Sequence, residues 1–319
     1  MADVNRQIGI VGLGKMGAAL VLQALEKGID VAGNDVHDPP AELTEAGMRT
    51  VADIDGFRDA LEGPRAVFLY VPAGPVVDEL IDELTDKLEP GDVIVDAGNS
   101  YWGDSIRRAK RVAEQGLELV DLGTSGGISG ARHGACFMAG GERSAVERIE
   151  PMLVDLAVDG GYVHAGPSGS GHFTKLVHNG IEFGMLQAIG EGVDLLEHYR
   201  DELPIADVLE CWRHGSVIRS WLVDLMQASY AERGGVADVP DYVEDTGEVN
   251  WLVDDAMHME VSTPVIAQAV MQLIASRDPD HDTPRAIAMM RHGFGGHPFG
   301  EDEGIKRERR GGRIGGFER

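Results

Sequence analysis

Short apolar runs alternate with helix-like segments along the first half of the chain. Six of these runs are predicted to be strands: Gln7–Val11, Asp30–Gly33, Arg65–Val71, Asp92–Asp96, Leu117–Leu122 and Cys136–Ala139. Between them, apolar residues recur every three or four positions, which predicts helices over Lys15–Lys27, Val76–Lys87, Asp104–Gln115 and Arg143–Leu156. Strands that alternate with such helices indicate βαβ units, so we expect an α/β domain built on a doubly wound parallel sheet.

The strand pattern ends near Val163, and only helical patterns follow it. After the glycine-rich segment Gly166–Gly171, helices are predicted at His172–Tyr199, Leu209–Glu232, Asn250–His258 and Pro264–Ser276. We therefore expect an α/β domain at residues 1–165, an all-helical domain at 166–299 and a charged, glycine-rich tail at 300–319.

Composition restricts the class of protein and its partners. Hydrophobic residues make up 43% of the chain, which is enough for a core and argues against disorder. The net charge is −26 and no basic face is sustained, so we predict no nucleic-acid partner. No apolar run reaches the roughly 18–20 residues of a membrane helix, so no membrane association is predicted. Cys136 and Cys211 are too few for a disulfide framework, which favours a cytoplasmic location.

The acidic composition also points to an environment of high salt. The chain has only six lysines, and acidic, lysine-poor surfaces are typical of proteins from salt-loving organisms. At molar salt the Debye length is about 3 Å, so self-repulsion is screened. We expect a halophilic protein, with an ordinary acidic cytosolic protein as the alternative.

The first predicted strand runs directly into a glycine-rich turn, GLGKMG, that matches G-x-G-x-x-G and opens a helix. Such glycines permit a tight turn and close approach of a pyrophosphate, which the helix N-terminus attracts. Asp35 follows about 20 residues later, where a carboxylate binds ribose hydroxyls and repels a 2′-phosphate. This favours NAD over NADP; a plain turn with Asp35 as a helix cap is the alternative. The predicted NAD contacts are Gly12, Leu13, Gly14, Met16, Gly17 and Asp35.

Further strands end in segments suited to a ligand crevice, because a doubly wound sheet binds ligands beyond the carboxyl ends of its strands. Ser125, Gly126 and Gly127 form a loop whose backbone N–H groups suit a carboxylate or phosphate, although a flexible turn fits the same sequence. The additional cofactor contacts predicted at strand ends are Val71, Pro72, Ala73 and Asn99.

One helix carries a stripe of polar residues. At about 100° per residue, Lys175, His178, Asn179 and Glu182 fall within an arc of about 100°, with apolar residues on either side. A lysine in a cleft can lose its proton, because desolvation and neighbouring charges lower its pKa. The stripe predicts a catalytic face; a solvated face with a Lys–Glu pair is the alternative.

These residues resemble a known family. GLGKMG, DAGNS, GTSGGISGAR, HFTKLVHNGIE and a late FGGH are similar to the motifs of decarboxylating 6-phosphogluconate dehydrogenases, in particular the short-chain, usually NAD-linked form. The resemblance extends nearly to His297. The glycine turn with a later lysine and asparagine marks the whole β-hydroxyacid dehydrogenase superfamily, whereas KxxHNGIE is narrower. A Rossmann-type NAD domain followed by a helical substrate and dimerisation domain is implied.

The resemblance implies a role for each polar residue. Lys175 resembles the general base that takes the C3 hydroxyl proton as hydride leaves C3 for the nicotinamide. The 3-keto acid then loses CO2, and Glu182 resembles the acid that protonates C1 of the enediol to give ribulose 5-phosphate. Arg291 and His297 resemble the pair with which a neighbouring subunit grips the phosphate, which implies a homodimer or homotetramer. The implied substrate-holding residues are Asn99, Ser125, Gly126, Gly127, His178 and Asn179.

Some positions depart from the family pattern. Phe183 stands where the long-chain form has a phosphate-contacting tyrosine, and Asn250 stands where a Lys or Arg is common. The helix ending near Ser276 lacks the usual arginine, for which Arg277 is the nearest substitute. These losses weaken the phosphate clamp and leave open an unphosphorylated or differently phosphorylated sugar acid. The unassigned arginines that could compensate are Arg219 and Arg285.

Two other functions share part of these motifs. A β-hydroxyacid dehydrogenase acting on a small acid such as 3-hydroxyisobutyrate, without decarboxylation, needs neither HNGIE nor the Arg–His tail. A catalytically silent dinucleotide-binding regulator predicts erosion of the lysine–glutamate pair, and both residues are present. The spacing of His281, His292 and His297 matches no recognised ligand set, and the reaction needs no metal, so we predict none.

Overall fold

A computed structural model describes residues 6–304 and 306. Its strands are β1 (Gln7–Val11), β2 (Asp30–Asn34), β3 (Arg49–Thr50), β4 (Ala66–Leu69), β5 (Val93–Asp96), β6 (Glu118–Ser125), β7 (Ala135–Gly140) and β8 (Ala157–Gly166). They form an eight-stranded sheet in the order β3-β2-β1-β4-β5-β6-β7-β8. The expected α/β class, with a Rossmann-type sheet followed by a helical part, is confirmed.

The sequence predicted a parallel sheet, and one pair of neighbouring strands departs from this. β6 and β7 pair antiparallel, and the other neighbouring strands pair parallel. The link between β6 and β7 contains only the seven-residue helix α6 (Gly127–His133). A parallel connection needs a crossover of about a dozen residues or more, so this short link returns the chain in the opposite direction.

Seven helices accompany the sheet. Besides α6, they are α1 (Lys15–Glu26), α2 (Ala41–Glu45), α3 (Gly56–Ala60), α4 (Pro75–Lys87), α5 (Trp102–Ala113) and α7 (Arg143–Leu156). The central strands β1, β4 and β5 are fully buried, and one apolar cluster forms around Ile8 and Phe68 and another around Val67 and Ile94. Burial on both faces explains why these strands are continuous apolar runs. It also leaves their carboxyl ends as the edge where polar residues gather.

The remaining helices are α8 (Ser170–Glu197), α9 (Ile205–Arg213), α10 (Trp221–Arg233), α11 (Glu248–His258), α12 (Pro264–Ser276) and α13 (Asp282–Gly295). The chain divides into two compact units. Unit 1 runs to Gly180 and takes in Glu248–Met259, whereas unit 2 contains Ile181–Gly247 and the chain from Glu260 onward. Within unit 2, Val193, Ile205 and Leu209 form a small buried cluster.

Several elements differ from the sequence prediction, and the short elements β3, α2, α3 and α6 were not predicted. β8 was missed because AVDGGYVHAG holds three glycines, which lowers its β-propensity. The single helix predicted at Leu209–Glu232 is two helices, α9 and α10. Gly215, at φ 70°, interrupts the pattern, and the Ser220 side chain accepts a hydrogen bond from the Val223 N–H to start α10. Helix α13 was not predicted. Most of the predicted tail at 300–319 lies outside the described residues.

Candidate functional site

The glycine turn has the backbone geometry that its sequence predicts. Gly12 has φ 95° and its N–H donates to the Asn34 carbonyl over 2.9 Å. A side chain at Gly12 would collide with the Tyr70 carbonyl, and one at Gly17 would collide with the Gly12 carbonyl. A Cβ at Gly14, in contrast, would meet nothing within 4 Å. The turn therefore presents open backbone at Gly14, ahead of helix α1, as a pyrophosphate requires.

Asp35 follows β2 and is hydrogen-bonded to this turn. Its Oδ2 accepts from the Leu13 N–H at 2.6 Å, and its Oδ1 accepts from the His37 N–H at 2.9 Å. Burial alone would raise the pKa of the Asp35 carboxyl, but the backbone N–H groups of His37 and Leu13 and the His37 ring outweigh it and lower the pKa. Asp35 is therefore ionised at neutral pH. The helix-cap alternative is not observed, because Asp35 caps no helix and instead links the glycine turn to β2.

The other predicted strand-end residues lie at the same edge of the sheet. Val71 packs against the turn, since a Cβ on Gly12 would lie 3.1 Å from its Cγ1. Pro72 and Ala73 follow it and are exposed. Asn99, also exposed, follows β5, and the side chains of Met16 and Leu13 are half-buried and buried respectively.

A buried ion pair underlies the loop that carries Asn99. Asp96, fully buried at the end of β5, binds the Arg108 guanidinium at 3.1 Å and accepts from the Gly98 N–H at 3.3 Å. Arg108 of α5 also binds Asp78 of α4 at 2.8 Å. Sequence reasoning missed this pair, because the three charges come from different elements.

The start of helix α8 packs directly on strand β6 and is hydrogen-bonded to it. Asp121 of β6 is fully buried and accepts hydrogen bonds from the Gly169 N–H at 2.7 Å and the His172 N–H at 2.9 Å. A Cβ on Gly123 would lie 2.5 Å from the Lys175 Cβ and 3.0 Å from the Gly171 carbonyl. The helix therefore lies directly on strand backbone, which fixes where Lys175 emerges.

Three residues of the predicted stripe form one hydrogen-bonded network. Lys175 Nζ donates to Asn179 Oδ1 at 2.5 Å, and His178 Nδ1 lies 3.2 Å from the same oxygen. His178 Nε2 lies 3.0 Å from Ser125 Oγ at the end of β6. Gly126 follows with φ 111° and Gly127 begins α6. The network joins two sequence motifs that are about 50 residues apart, so the predicted catalytic face is not a solvated surface.

A pocket in unit 1 opens beside this network. It is lined by Asn99, Ser100, His172, Lys175, Leu176, Asn179, Glu248 and Trp251. Glu248 of α11 accepts a hydrogen bond from Asn99 Nδ2 at 3.2 Å. Sequence analysis gave Glu248 no role, because nothing local indicates that it meets a residue 149 positions away.

Helix α11 is attached to α5 by a buried carboxylate. Asp255 accepts hydrogen bonds from Tyr101 Oη at 3.0 Å and from Trp102 Nε1 at 2.7 Å. Tyr101 and Trp251 pack edge to face with ring centroids 5.5 Å apart. These contacts hold one wall of the pocket.

The other predicted site residues lie in unit 2. Glu182 is half-buried on α8. Arg291 is exposed on α13, and His297 follows that helix with its ring 5.9 Å from Phe294. Arg277, the suggested substitute in the phosphate clamp, is paired with Asp245 at 3.2 Å.

Two further kinds of site, a membrane span and a metal centre, concern residues 6–304 and 306. None of the helices in that range combines the length and apolarity needed to cross a membrane. Across the same residues, no group of three His, Cys, Asp or Glu side chains is placed to hold a metal ion.

Comparison with known proteins identifies the family. Family models for the NAD binding domain of 6-phosphogluconate dehydrogenase and for its C-terminal domain match residues 7–166 and 171–295. The Bacillus subtilis protein YqeC, whose name assigns it provisionally as a 6-phosphogluconate dehydrogenase, is 41% identical over 91% of this chain and 98% of its own. An NAD(+)-dependent, decarboxylating 6-phosphogluconate dehydrogenase of Haloferax volcanii is 37% identical over 91% of this chain and 97% of its own.

A solved structure agrees with these relatives. The 6-phosphogluconate dehydrogenase of Plasmodium falciparum superposes with a TM-score of 0.78 at 27% identity, over 93% of this chain and 66% of that longer one. The chain belongs to the 6-phosphogluconate dehydrogenase family.

Proposed function

We propose that this protein catalyses the NAD-dependent oxidative decarboxylation of 6-phosphogluconate to ribulose 5-phosphate and CO2. The observation that carries the proposal is the hydrogen bond from Lys175 Nζ to Asn179 Oδ1, inside a network that includes His178 and Ser125. This network lies at the carboxyl edge of the sheet, on which the glycine turn also lies. An amine held this way can serve as a base for a hydroxyl proton.

Each residue of the site has a separate role in the proposed reaction. Lys175 takes the proton of the C3 hydroxyl, while Asn179 fixes the position of its amine. Ser125 and His178, with the backbone of Gly126 and Gly127, hold the sugar acid. The product of oxidation is a β-keto acid, which loses its C1 carboxylate as CO2. Glu182 then gives a proton to the terminal carbon of the enediol that remains, the former C2 of the acid and C1 of ribulose 5-phosphate. Proton transfers by positioned side chains contribute about 10²- to 10⁴-fold each.

The cofactor site favours NAD. The open backbone at Gly14 and the start of α1 suit the pyrophosphate, and Asp35 suits the ribose hydroxyls. When bound, NAD supplies the hydride acceptor. Hydrogen bonds to the Asp35 carboxyl lower its pKa, so its negative charge opposes a 2′-phosphate at neutral pH. The contacts proposed for NAD are Gly12, Leu13, Gly14, Met16, Gly17, Asp35, Val71, Pro72, Ala73 and Asn99.

The phosphate end is assigned to Arg291 and His297 of a second copy in a homodimer or homotetramer. Support comes from α13, which has no buried residue and exposes Met289 at 67% and Phe294 at 75%. Exposed apolar residues of this size indicate a surface that another copy covers.

We also propose that the protein works in a cytoplasm of high salt, since Cys136 and Cys211 are free and the net charge is −26.

A substrate panel tests the proposed activity. NADH formation is followed in about molar KCl, where charge is screened, with 6-phosphogluconate, gluconate and 3-hydroxyisobutyrate in parallel. Turnover of 6-phosphogluconate alone supports the proposal. Turnover of gluconate instead would show that Phe183 and Asn250 mark a lost phosphate site, and turnover of 3-hydroxyisobutyrate would indicate a different β-hydroxyacid dehydrogenase.

A further inference from the structure

His172 is a pocket residue that the proposed mechanism does not use. It lies in the first turn of α8, three residues before Lys175, and residues with this spacing share a helix face. Its side chain lines the same pocket as Lys175, Asn99 and Asn179. The residue is only 2% exposed, so it is part of the wall and not of the surface.

The His172 ring is held from two directions. Its backbone N–H donates to the buried Asp121 carboxylate at 2.9 Å. Its ring Nδ1 lies 2.7 Å from the Oγ of Ser105, a fully buried residue of α5. A histidine fixed at its backbone and at one ring nitrogen has little freedom to turn, so the position of its other nitrogen is set in advance.

The distance to Ser105 indicates the tautomer. A separation of 2.7 Å is at the short end of the range of about 2.7–3.2 Å for a ring N–H that donates to a hydroxyl, and is closer to the usual length for a hydroxyl donor. The other acceptor near Ser105 Oγ, the Tyr101 carbonyl, is farther away at 3.4 Å. We therefore assign Ser105 as the donor to Nδ1, which leaves the ring proton on Nε2.

Nε2 is thus a buried donor on a residue that lines the pocket. Within residues 6–304 and 306 no hydrogen-bond partner for it is found, and the same holds for Ser100 Oγ in the same pocket. Buried polar groups in folded proteins are nearly always hydrogen-bonded, so these two groups beside Lys175 are available to an oxygen of a ligand or of an ordered water.

We propose that His172 is a substrate-binding residue whose Nε2–H donates a hydrogen bond to an oxygen of the sugar acid. The inference rests on the proposed function and adds a donor on the helix face that also carries Lys175. A positioned donor of this kind stabilises an oxygen that gains negative charge during the reaction. Removing the Nε2–H donor is therefore expected to lower kcat, while the KM for NAD, which this donor does not bind, changes less.

Two substitutions separate this role from a structural one. In His172→Gln the amide nitrogen reaches the place of Nε2 and the bond to Ser105 is lost, whereas in His172→Asn the bond to Ser105 is kept and Nε2 is lost. We expect kcat/KM for 6-phosphogluconate to fall about 10- to 100-fold in H172N and several-fold less in H172Q. The opposite order, or equal losses, would overturn the proposal, because a ring that only anchors α8 needs Nδ1.

Folding and ligand binding of each variant are measured separately from its activity. The melting temperature of each variant reports folding, and quenching of tryptophan fluorescence, to which Trp251 in the pocket wall contributes, reports binding of 6-phosphogluconate and NAD separately. A loss confined to NAD binding would place Nε2 at the cofactor and contradict the proposal. If the wild type oxidises a different acid of the panel, the proposed function fails and the same two variants are ranked on that acid.

Discussion

At the scale of single residues, Asp35 combines two tasks. It accepts the Leu13 N–H and so shapes the glycine turn, and it presents a negative charge where the adenosine ribose is expected. A carboxylate has about four lone-pair sites, so these bonds leave capacity for ribose hydroxyls. An asparagine at position 35 separates the two roles, because its side-chain oxygen can still accept the Leu13 N–H while the negative charge is removed.

The substitution Asp35→Asn is expected to lower kcat/KM for NAD about 10-fold and to raise the NADP-to-NAD ratio by at least as much. Steady-state kinetics with both cofactors provide the measurement. Asp38→Asn is the matched control, because Asp38 is an exposed carboxylate in the same loop. A cofactor ratio that is equal in the wild type and D35N would remove Asp35 from the ribose site.

The sequence predicted part of the site at this scale, for physical reasons. Lys175, His178 and Asn179 could be grouped because helical periodicity alone places them on one face. Asp121, Glu248 and Asp255 could not, because their partners lie about 50 to 150 residues away and only the folded sheet brings them together. Lone acidic residues in a chain with 54 of them give no local signal.

At the scale of elements, the contact of α8 with β6 determines the position of Lys175, the proposed base. Gly123 allows it, since any side chain there would meet Lys175 and the Gly171 carbonyl. Gly123→Ala is therefore expected to displace the first turns of α8 and to lower kcat about 100-fold, as a misplacement of about 1 Å can. NAD binding should be nearly unchanged, because the glycine turn is on β1.

The control for this prediction is Gly190→Ala on the same helix. A Cβ at Gly190 meets nothing within 4 Å, and alanine stabilises a helix interior by about 0.5–1 kcal/mol. Kinetics and melting temperatures of the two variants are compared. Equal kcat values in the wild type and G123A would show that close packing of α8 on the strand does not position Lys175.

A second element contact joins α4 and α5 through Asp78. It binds Arg107, Arg108 and Arg111, and hydrogen bonds from Arg108, and then Arg107, hold the pKa of its carboxyl well below the ordinary range despite partial burial. The folded-state pKa is lower than the unfolded one. Its stabilisation is therefore present above the unfolded pKa and is lost as the pH falls towards the folded one.

Asp78→Asn is accordingly expected to lower the free energy of unfolding by about 1–3 kcal/mol at pH 7. The difference from the wild type should shrink below about pH 5, as the wild type loses the same contribution. Urea unfolding at several pH values measures it, with Glu79→Gln, an exposed neighbour on α4, as control. A difference that stays constant down to pH 3 would contradict the assignment.

Boundaries of elements were predictable where the local pattern was strong. The predicted limits of β1, α7 and α12 match the structure, since β1 is apolar after its first residue, α7 is amphipathic and α12 begins at a proline. β8 and the break between α9 and α10 were missed because glycine-rich or irregular segments carry little periodic signal, and tertiary contacts decide their conformation.

At the scale of the whole molecule, the proposed site needs two copies of the chain. In this proposal Lys175 comes from one copy and Arg291 from its neighbour, so an oligomer that combines two different defective chains should contain intact sites. Lys175→Met and Arg291→Ala are each expected to lose most activity alone. Their co-expressed hybrid dimer should recover about half of the wild-type activity, because one of its two sites is complete.

The matched control combines Lys175→Met with Asn179→Ala. Both residues lie on α8 of the same chain, so no complete site forms in that hybrid and no activity should return. Hybrids are purified through two different affinity tags and assayed with 6-phosphogluconate and NAD. Failure of the K175M and R291A hybrid to recover activity would place Arg291 in its own chain's site or outside any site.

The most direct test of the central claim is the stoichiometry of the reaction. Wild-type protein is given 6-phosphogluconate labelled at C1 with NAD, and trapped labelled CO2 is compared with NADH formed. Oxidation followed by loss of the carboxylate predicts one CO2 for each NADH, with the label absent from the sugar phosphate product. NADH without labelled CO2 would mean that the enzyme oxidises the acid and stops there, and would contradict the proposed decarboxylation.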